Sequence, residues 1–150
     1  MTRVVDVATE GVRIPLARSR VATVAEQVLR AEQVRDASIS IAFVTDRRIA
    51  ALSWQHLGHR GPTDVISFGF APAHEGAPRS GDIYIAPEVA RRNAAAEGRT
   101  VREELLRLVV HGVLHVLGHD HPDGAERYDS PMWHRQESLL KRALDAEARA

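Results

Sequence analysis

The segment that most constrains the fold of this chain is a strongly apolar stretch that also carries two histidines. Thr100 and Glu103 have the spacing of a capping box, which predicts the start of a helix. Apolar residues occupy nearly every face of this helix, at Leu105, Leu106, Leu108, Val109, Val110, Val113 and Leu114. Such a helix is expected to be buried. His111 and His115 lie within it, and buried imidazoles need polar partners, which a metal ion would supply.

The residues that follow this helix indicate how a third imidazole could join the first two. His111 and His115 are four positions apart, so a helix places both side chains on one face. Gly118 can adopt the left-handed conformation that ends a helix, which would send the chain back and deliver His119 or His121. Three neutral nitrogens with one vacant position suit a catalytic Zn²⁺ ion. The alternative is that these histidines serve only as caps and surface polar groups.

Residues 111–121 also match the ligand spacing of the metzincin peptidases, H-E-x-x-H-x-x-G-x-x-H. In peptidases of the H-E-x-x-H kind, the glutamate after the first histidine acts as the general base. The corresponding residue here is Gly112, which has no side chain to move a proton. Peptide hydrolysis by that mechanism is therefore disfavoured, although the ligand spacing is shared.

The composition limits the other classes of site and partner. The chain has 150 residues and no cysteine, so we expect one domain over residues 1–150 and no disulfide or thiolate metal site. No signal peptide or membrane-spanning run is visible, which predicts a cytoplasmic protein. The formal net charge is zero and gives no electrostatic argument for a nucleic-acid partner. Of the 20 basic residues only Lys141 is lysine, and the arginine excess reflects either genomic base composition or phosphate binding.

The rest of the sequence predicts an α+β fold, with a single small mixed sheet that packs against helices and with the histidine helix at its centre. Segments with helical apolar spacing intermix with short strand-like segments, and no regular βαβ repeat is present. A loose alternation over 3–14 could add one or two further strands. The other predicted strands cover 37–44, 63–70 and 81–86, and the other predicted helices cover 16–31, 46–55, 87–97 and 131–146.

Three sequence blocks, taken together, resemble those of a known family. Residues 111–121 read His-Gly-Val-Leu-His-Val-Leu-Gly-His-Asp-His, residues 62–68 read Pro-Thr-Asp-Val-Ile-Ser-Phe, and residues 81–85 read Gly-Asp-Ile-Tyr-Ile. In order and spacing they resemble the blocks of the YbeY family of bacterial rRNA-maturation factors, over about residues 12–145. Members of that family are metal-dependent, single-strand-specific endoribonucleases. The resemblance therefore implies an endoribonuclease.

The resemblance also implies a metal site, a substrate and partners. The metal would be one Zn²⁺ held by His111, His115 and His121, with His119 a wall residue where the family often has tyrosine. The substrate would be RNA, in the 3′-end maturation of the 16S rRNA precursor and in ribosome quality control. Ribosomal particles or ribosome-associated proteins would be partners, with no membrane and no nucleotide cofactor. The zinc would lower the pKa of its bound water or polarise a phosphoryl oxygen.

Two residues are candidates for a catalytic role beside the metal ligands. Asp120 could orient a ligand imidazole or could equally cap the turn. Many family members carry an arginine five residues before the proline of the 62–68 block, where this chain has Leu57. Arg60 lies three residues further on and could reach the same cleft, or could simply be solvated.

The general base is not identified. Two alternatives stay open, a non-catalytic ribosome-assembly factor that the metal stabilises and a metzincin-like metallopeptidase.

Overall fold

This computed structural model describes residues 2–149. They contain four strands, five α-helices and one short 3₁₀-helix, joined by loops. The strands are β1 (Arg3–Thr9), β2 (Ala37–Phe43), β3 (Val65–Phe70) and β4 (Arg79–Ile85). The helices are α1 (Arg18–Ala31), α2 (Asp46–Leu57), α3 (Pro87–Ala96), α4 (Val101–Val116) and α5 (Pro131–Arg149), with the 3₁₀-helix at Gly124–Asp129. Within these residues, no helix combines the length and the apolar character that a membrane crossing would need.

The strands form one mixed sheet in the order β1-β2-β4-β3. β1, β2 and β4 run parallel to one another, whereas β3 is antiparallel to β4 and lies at the edge. One face of the sheet contributes Ile39, Ile41, Ile83 and Ile85 to the main hydrophobic core. On the other face, α2 covers a smaller apolar cluster. The α+β fold with one small mixed sheet, as predicted from the sequence, is confirmed.

Two local features differ from the sequence prediction. β4 begins at Arg79 rather than at residue 81, because Arg79 and Ser80 pair with Ala37 and Ser38 of β2. The 3₁₀-helix at Gly124–Asp129 is not among the predicted elements. None of its residues is buried, so it has no apolar periodicity that a sequence could reveal.

α4 lies at the centre of the molecule and is buried on nearly every side, as predicted. It packs against β3 and β4, and it also contacts α1, α3 and α5. Thr100 begins the helix, since its hydroxyl accepts a hydrogen bond from the backbone N–H of Glu103 at 3.1 Å. His111 and His115 are half-buried on one side of this helix. The central helix therefore carries both histidines into a partly enclosed position.

A pair of glycines lets the last turn of α4 lie directly on the sheet. Gly69 in β3 pairs with Gly81 in β4, and Val116 packs over both. A Cβ atom at Gly81 would lie 2.6 Å from both methyl groups of Val116 and 2.7 Å from the carbonyl oxygen of Phe68. Such approaches are far inside van der Waals contact, so this close packing requires glycine.

The chain turns back immediately after this contact. Gly118 has a φ of +99°, the left-handed conformation that the sequence predicts for the end of the helix. The backbone N–H of Gly118 donates to the carbonyl oxygen of His115, and that of His119 to the carbonyl oxygen of Leu114, both at 3.0 Å. These bonds direct residues 119–121 back along the side of α4 that carries the histidines.

Glu32 connects this returning segment to two helices. One of its carboxylate oxygens contacts Nε2 of His119, and the other accepts a hydrogen bond from Nε of Arg135 in α5 at 2.9 Å. Arg135 also donates to the carbonyl oxygen of Ala31, the last residue of α1, at 3.3 Å. Although burial alone would raise the pKa of Glu32, the bonds from Arg135 and His119 hold it below its ordinary value.

We expect Gly81→Ala to lower the free energy of unfolding by about 1–3 kcal/mol, because the added Cβ atom forces α4 away from the sheet. Urea denaturation at neutral pH measures the change. In a Val116→Ala background the same substitution should cost less, since the nearest methyl groups are absent. Equal costs in the two backgrounds would show that the contact does not limit the packing of α4.

We expect Glu32→Gln to lower the free energy of unfolding by about 1–2 kcal/mol at pH 7, because two charge-assisted hydrogen bonds are weakened. The pKa of Glu32 is lowered in the folded state, so its contribution is complete above the unfolded value near 4.5 and disappears as the pH falls through the folded value. Urea denaturation of both proteins from pH 7 downward should therefore show the difference shrinking in acid. Glu75→Gln, at an exposed loop position, is the control. A difference that stays constant over the whole pH range would contradict this assignment.

Candidate metal centre

Three histidines converge at the end of α4. His111 and His115 project from the helix, and His121 comes from the segment that returns after Gly118. The ring centroids are 4.6 Å apart for His111 and His115, 4.9 Å for His115 and His121, and 5.2 Å for His111 and His121. One ring nitrogen from each histidine lies within 4.8 Å of the other two. The group could therefore hold a metal ion.

Backbone carbonyl groups determine the tautomers of two of these imidazoles. Nδ1 of His115 lies 3.0 Å from the carbonyl oxygen of His119, and Nδ1 of His121 lies 3.0 Å from that of Pro122. A carbonyl oxygen can only accept a hydrogen bond, so each Nδ1 atom must carry the proton. The lone pair of each neutral ring is then on Nε2, which is free to bind a metal.

A side-chain amide determines the tautomer of the third imidazole. Nδ1 of His111 lies 2.7 Å from Oε1 of Gln136, a residue of α5 that is only 1% exposed. The amide nitrogen of Gln136 donates to Glu137 at 3.0 Å, so its oxygen is the atom that faces the histidine. All three imidazoles thus present Nε2, and three neutral nitrogen ligands suit a divalent transition metal.

Burial keeps the imidazoles of α4 in their neutral form. The pKa of His111 is lowered to about 4, chiefly by burial, with the bond to Gln136 acting against the shift and the charges of His115 and His121 adding to it. The pKa of His115 is also lowered, chiefly by burial and then by His121. Metal ions bind the neutral ring, so both side chains are in the binding form near pH 7.

Gly112 lies on the side of α4 that packs against the sheet, rather than on the side that carries the two histidines. A Cβ atom at this position would lie 2.7 Å from Cγ2 of Ile83 in β4. The position therefore faces the sheet, and a glutamate there would enter the core rather than the metal centre. The structure thus gives a packing reason for the missing glutamate of the peptidase pattern.

The remaining sequence candidates occupy different places. The side chain of His119 contacts Glu32 and lies outside the three-histidine group. Oδ1 of Asp120 accepts a hydrogen bond from the backbone N–H of His121 at 2.9 Å, so it holds the main chain beside that imidazole. The guanidinium of Arg60 lies over the ring of Trp54, 5.4 Å from its centroid.

A cavity of about 120 Å³ adjoins the metal centre. His111 and His121 form part of its lining, and the other groups around it are mainly polar or aromatic. They include Asp64, Arg127 and Trp133. Such a mixture can contact both a charged group and a planar ring.

Arg127 and Asp64 place opposite charges in this cavity. Nη2 of Arg127 donates to the hydroxyl of Tyr128 at 2.8 Å, and its guanidinium lies 4.9 Å from the centroid of that ring. Burial raises the pKa of the Asp64 carboxyl, although a hydrogen bond from the Val65 backbone and the charge of Arg127 oppose the rise. The cavity therefore combines a fixed positive charge with a carboxyl that is protonated more easily than a surface aspartate.

The sequence analysis missed Gln136 and Arg127. Gln136 had a detectable signal, because it is the one polar member of the buried face of α5, whose other members are Met132, Leu139, Leu140 and Ala143. Arg127 had no detectable signal in the sequence, because it lies in the exposed 3₁₀-helix, which has no apolar periodicity. Both reach the site through tertiary contacts.

Comparison with known proteins assigns the chain to a family. The family model described as "Endoribonuclease YbeY" matches residues 6–144. An Endoribonuclease YbeY from Thermobifida fusca (strain YX) is 35% identical over 156 aligned residues, which cover 97% of this chain and 99% of the relative. One from Pelotomaculum thermopropionicum is 38% identical over 127 residues, 79% of this chain and 80% of the relative. A solution structure of a protein from Thermotoga maritima is 23% identical and has a similar fold, with a TM-score of 0.64 over 97% of this chain and 92% of that one. The chain therefore belongs to the YbeY family of endoribonucleases.

Proposed function

We propose that this chain is a zinc-dependent, single-strand-specific endoribonuclease. In the cytoplasm it acts on ribosomal particles, in the 3′-end maturation of the 16S rRNA precursor and in ribosome quality control. The observation that carries the proposal is the convergence of three imidazoles beside a cavity whose lining includes Arg127. Family membership supports RNA as the substrate, because the relatives are named endoribonucleases.

In this proposal His111, His115 and His121 are the metal ligands. Three uncharged ligands leave the full +2 charge of a zinc ion, which favours an anionic phosphate nearby. Bound zinc would supply Lewis-acid activation of the phosphodiester. The protein contributes the orientation of the three rings, and Asp120 contributes by fixing the backbone at His121.

We further propose that Arg127 binds a phosphate of the substrate. The position where many family members have arginine is Leu57 here, an exposed residue at the end of α2. Arg127 lines the same cavity as His111 and His121, and a guanidinium can bind a phosphate through two hydrogen bonds. It would thus provide a positive charge that Leu57 cannot provide.

Arg60 is proposed as a contact farther along the RNA. It is exposed and lies over Trp54, which is itself 57% exposed. A paired aromatic ring and guanidinium can stack with an unpaired base, and this supports a preference for single-stranded RNA.

Replacing His115 by alanine should abolish both zinc binding and RNA cleavage, because two ligands are too few for a stable site. Elemental analysis of the purified protein and cleavage of a labelled single-stranded RNA measure the two properties. His74→Ala, which alters an exposed histidine in the loop between β3 and β4, is the control and should keep both. A metal-free His115→Ala protein that cuts RNA at the normal rate would disprove the proposal. A zinc-loaded, folded wild-type protein that cuts no RNA would favour the non-catalytic assembly factor.

Arg127→Ala should lower kcat/KM for single-stranded RNA by about 10–100-fold, since one charge-assisted contact to phosphate is lost. Zinc content should not change. The salt dependence of RNA binding should weaken by about one phosphate contact. Arg91→Ala, an exposed arginine of α3, is the control, and Arg60→Ala should have an effect between the two. If Arg127→Ala behaves like Arg91→Ala, Arg127 does not contact the substrate.

A further inference from the structure

We propose that Gln136 is a positioning residue of the metal centre. Its amide oxygen selects the Nδ1–H tautomer of His111 and keeps the Nε2 atom of this ring directed toward His115 and His121. The inference rests on the proposed role of these three histidines as metal ligands. It concerns a residue of α5 that acts on the metal centre through His111.

The three imidazoles are oriented in two different ways. His115 and His121 donate to the backbone carbonyl groups of His119 and Pro122. Any substitution at those two positions leaves a carbonyl oxygen in the chain. Among the described residues, Gln136 is the one whose side chain accepts a hydrogen bond from one of the three imidazole rings. The orientation of His111 therefore depends on the identity of a single amino acid.

A buried charged network fixes which way the Gln136 amide points. Its NH₂ group donates to Oε2 of Glu137 at 3.0 Å, and a carboxylate can only accept. Glu137 is itself held by two hydrogen bonds from Arg107, at 2.9 and 3.0 Å. Arg107 also donates to Glu104 at 2.9 Å, and its side chain is only 7% exposed. Because Arg107 lies one turn before His111 on α4, the network begins and ends on the same helix.

Loss of the amide oxygen would leave the Nδ1–H group of His111 without its acceptor. The half-buried ring could then move its proton to Nε2 or rotate, and either change removes the lone pair from the metal centre. Loss of a hydrogen-bond partner that orients a metal ligand lowers metal affinity by about 10–100-fold in other proteins. We expect a loss of this size for a variant without the acceptor.

Three variants separate this role from a general effect on packing. Gln136→Met keeps the length of the side chain but removes the acceptor. Gln136→Glu keeps an acceptor oxygen toward His111. It is combined with Glu137→Gln, so that an amide donor rather than a second carboxylate faces it, and the pair should restore much of the affinity that Gln136→Met loses. Gln27→Met makes the same change in α1, at a half-buried glutamine whose amide oxygen has no hydrogen-bond partner, and it serves as the matched control.

Two measurements test the proposal without reference to RNA cleavage. The first is the tautomer of His111 in the metal-free protein, from the ¹⁵N shifts of the ring and their long-range ¹H–¹⁵N correlations at neutral pH. The second is the Zn²⁺ dissociation constant, from competition with a chelating indicator. We expect the Nδ1–H tautomer in the wild type and in Gln27→Met, and a changed ring signature in Gln136→Met. Zn²⁺ binding by Gln136→Met should be about 10–100-fold weaker, with the Gln136→Glu, Glu137→Gln double variant closer to the wild type.

Several results would overturn the proposal. An Nε2–H tautomer of His111 in the wild-type protein would do so even if Gln136→Met did not fold. Equal losses of affinity in Gln136→Met and Gln27→Met would assign the effect to packing, and unchanged affinity in Gln136→Met would exclude a positioning role. Failure of the proposed function looks different, because the wild type would then show the expected tautomer but bind no Zn²⁺, or bind Zn²⁺ and cut no RNA.

Discussion

The close contact between α4 and the sheet fixes the position of every other part of the site. Gly69, Gly81 and Gly112 have no side chains at the places where the helix touches β3 and β4. The helix axis therefore lies close enough to the sheet for the last turn of α4 to contact β3 and β4 directly. Gly118, in its left-handed conformation, then returns the chain beside the histidines. A larger distance between α4 and the sheet would move His111 and His115 away from the returning segment.

The donor set is organised by three separate parts of the fold. The returning segment supplies the carbonyl groups that orient His115 and His121, and α5 supplies the amide that orients His111. Glu32, at the end of α1, contacts the imidazole of His119 and so connects the returning segment to that helix. Since burial also keeps the rings of α4 neutral, folding itself arranges these imidazoles in the form that a metal ion could bind.

The sequence predicted the features that depend on local spacing, and it missed those that depend on tertiary contacts. The histidine helix, the turn at Gly118 and the α+β class follow from periodicity and capping within short windows, and the structure confirms them. The pairing of Gln136 with His111 joins residues from different helices, which periodicity does not connect. The single domain over residues 1–150 and the roles of Asp120 and Arg60 stay predictions.

The position of α5 in the chain has a consequence for how the protein matures as it is made. The histidines of α4 and the returning segment are synthesised before α5, yet the groups that orient His111 and hold Glu32 come from α5. A nascent chain that has reached residue 122 therefore contains all three imidazoles and the carbonyl groups that orient His115 and His121, but it lacks the amide that orients His111. The hydrogen bond that orients His111 can therefore form only after α5 has been synthesised and has packed on α4.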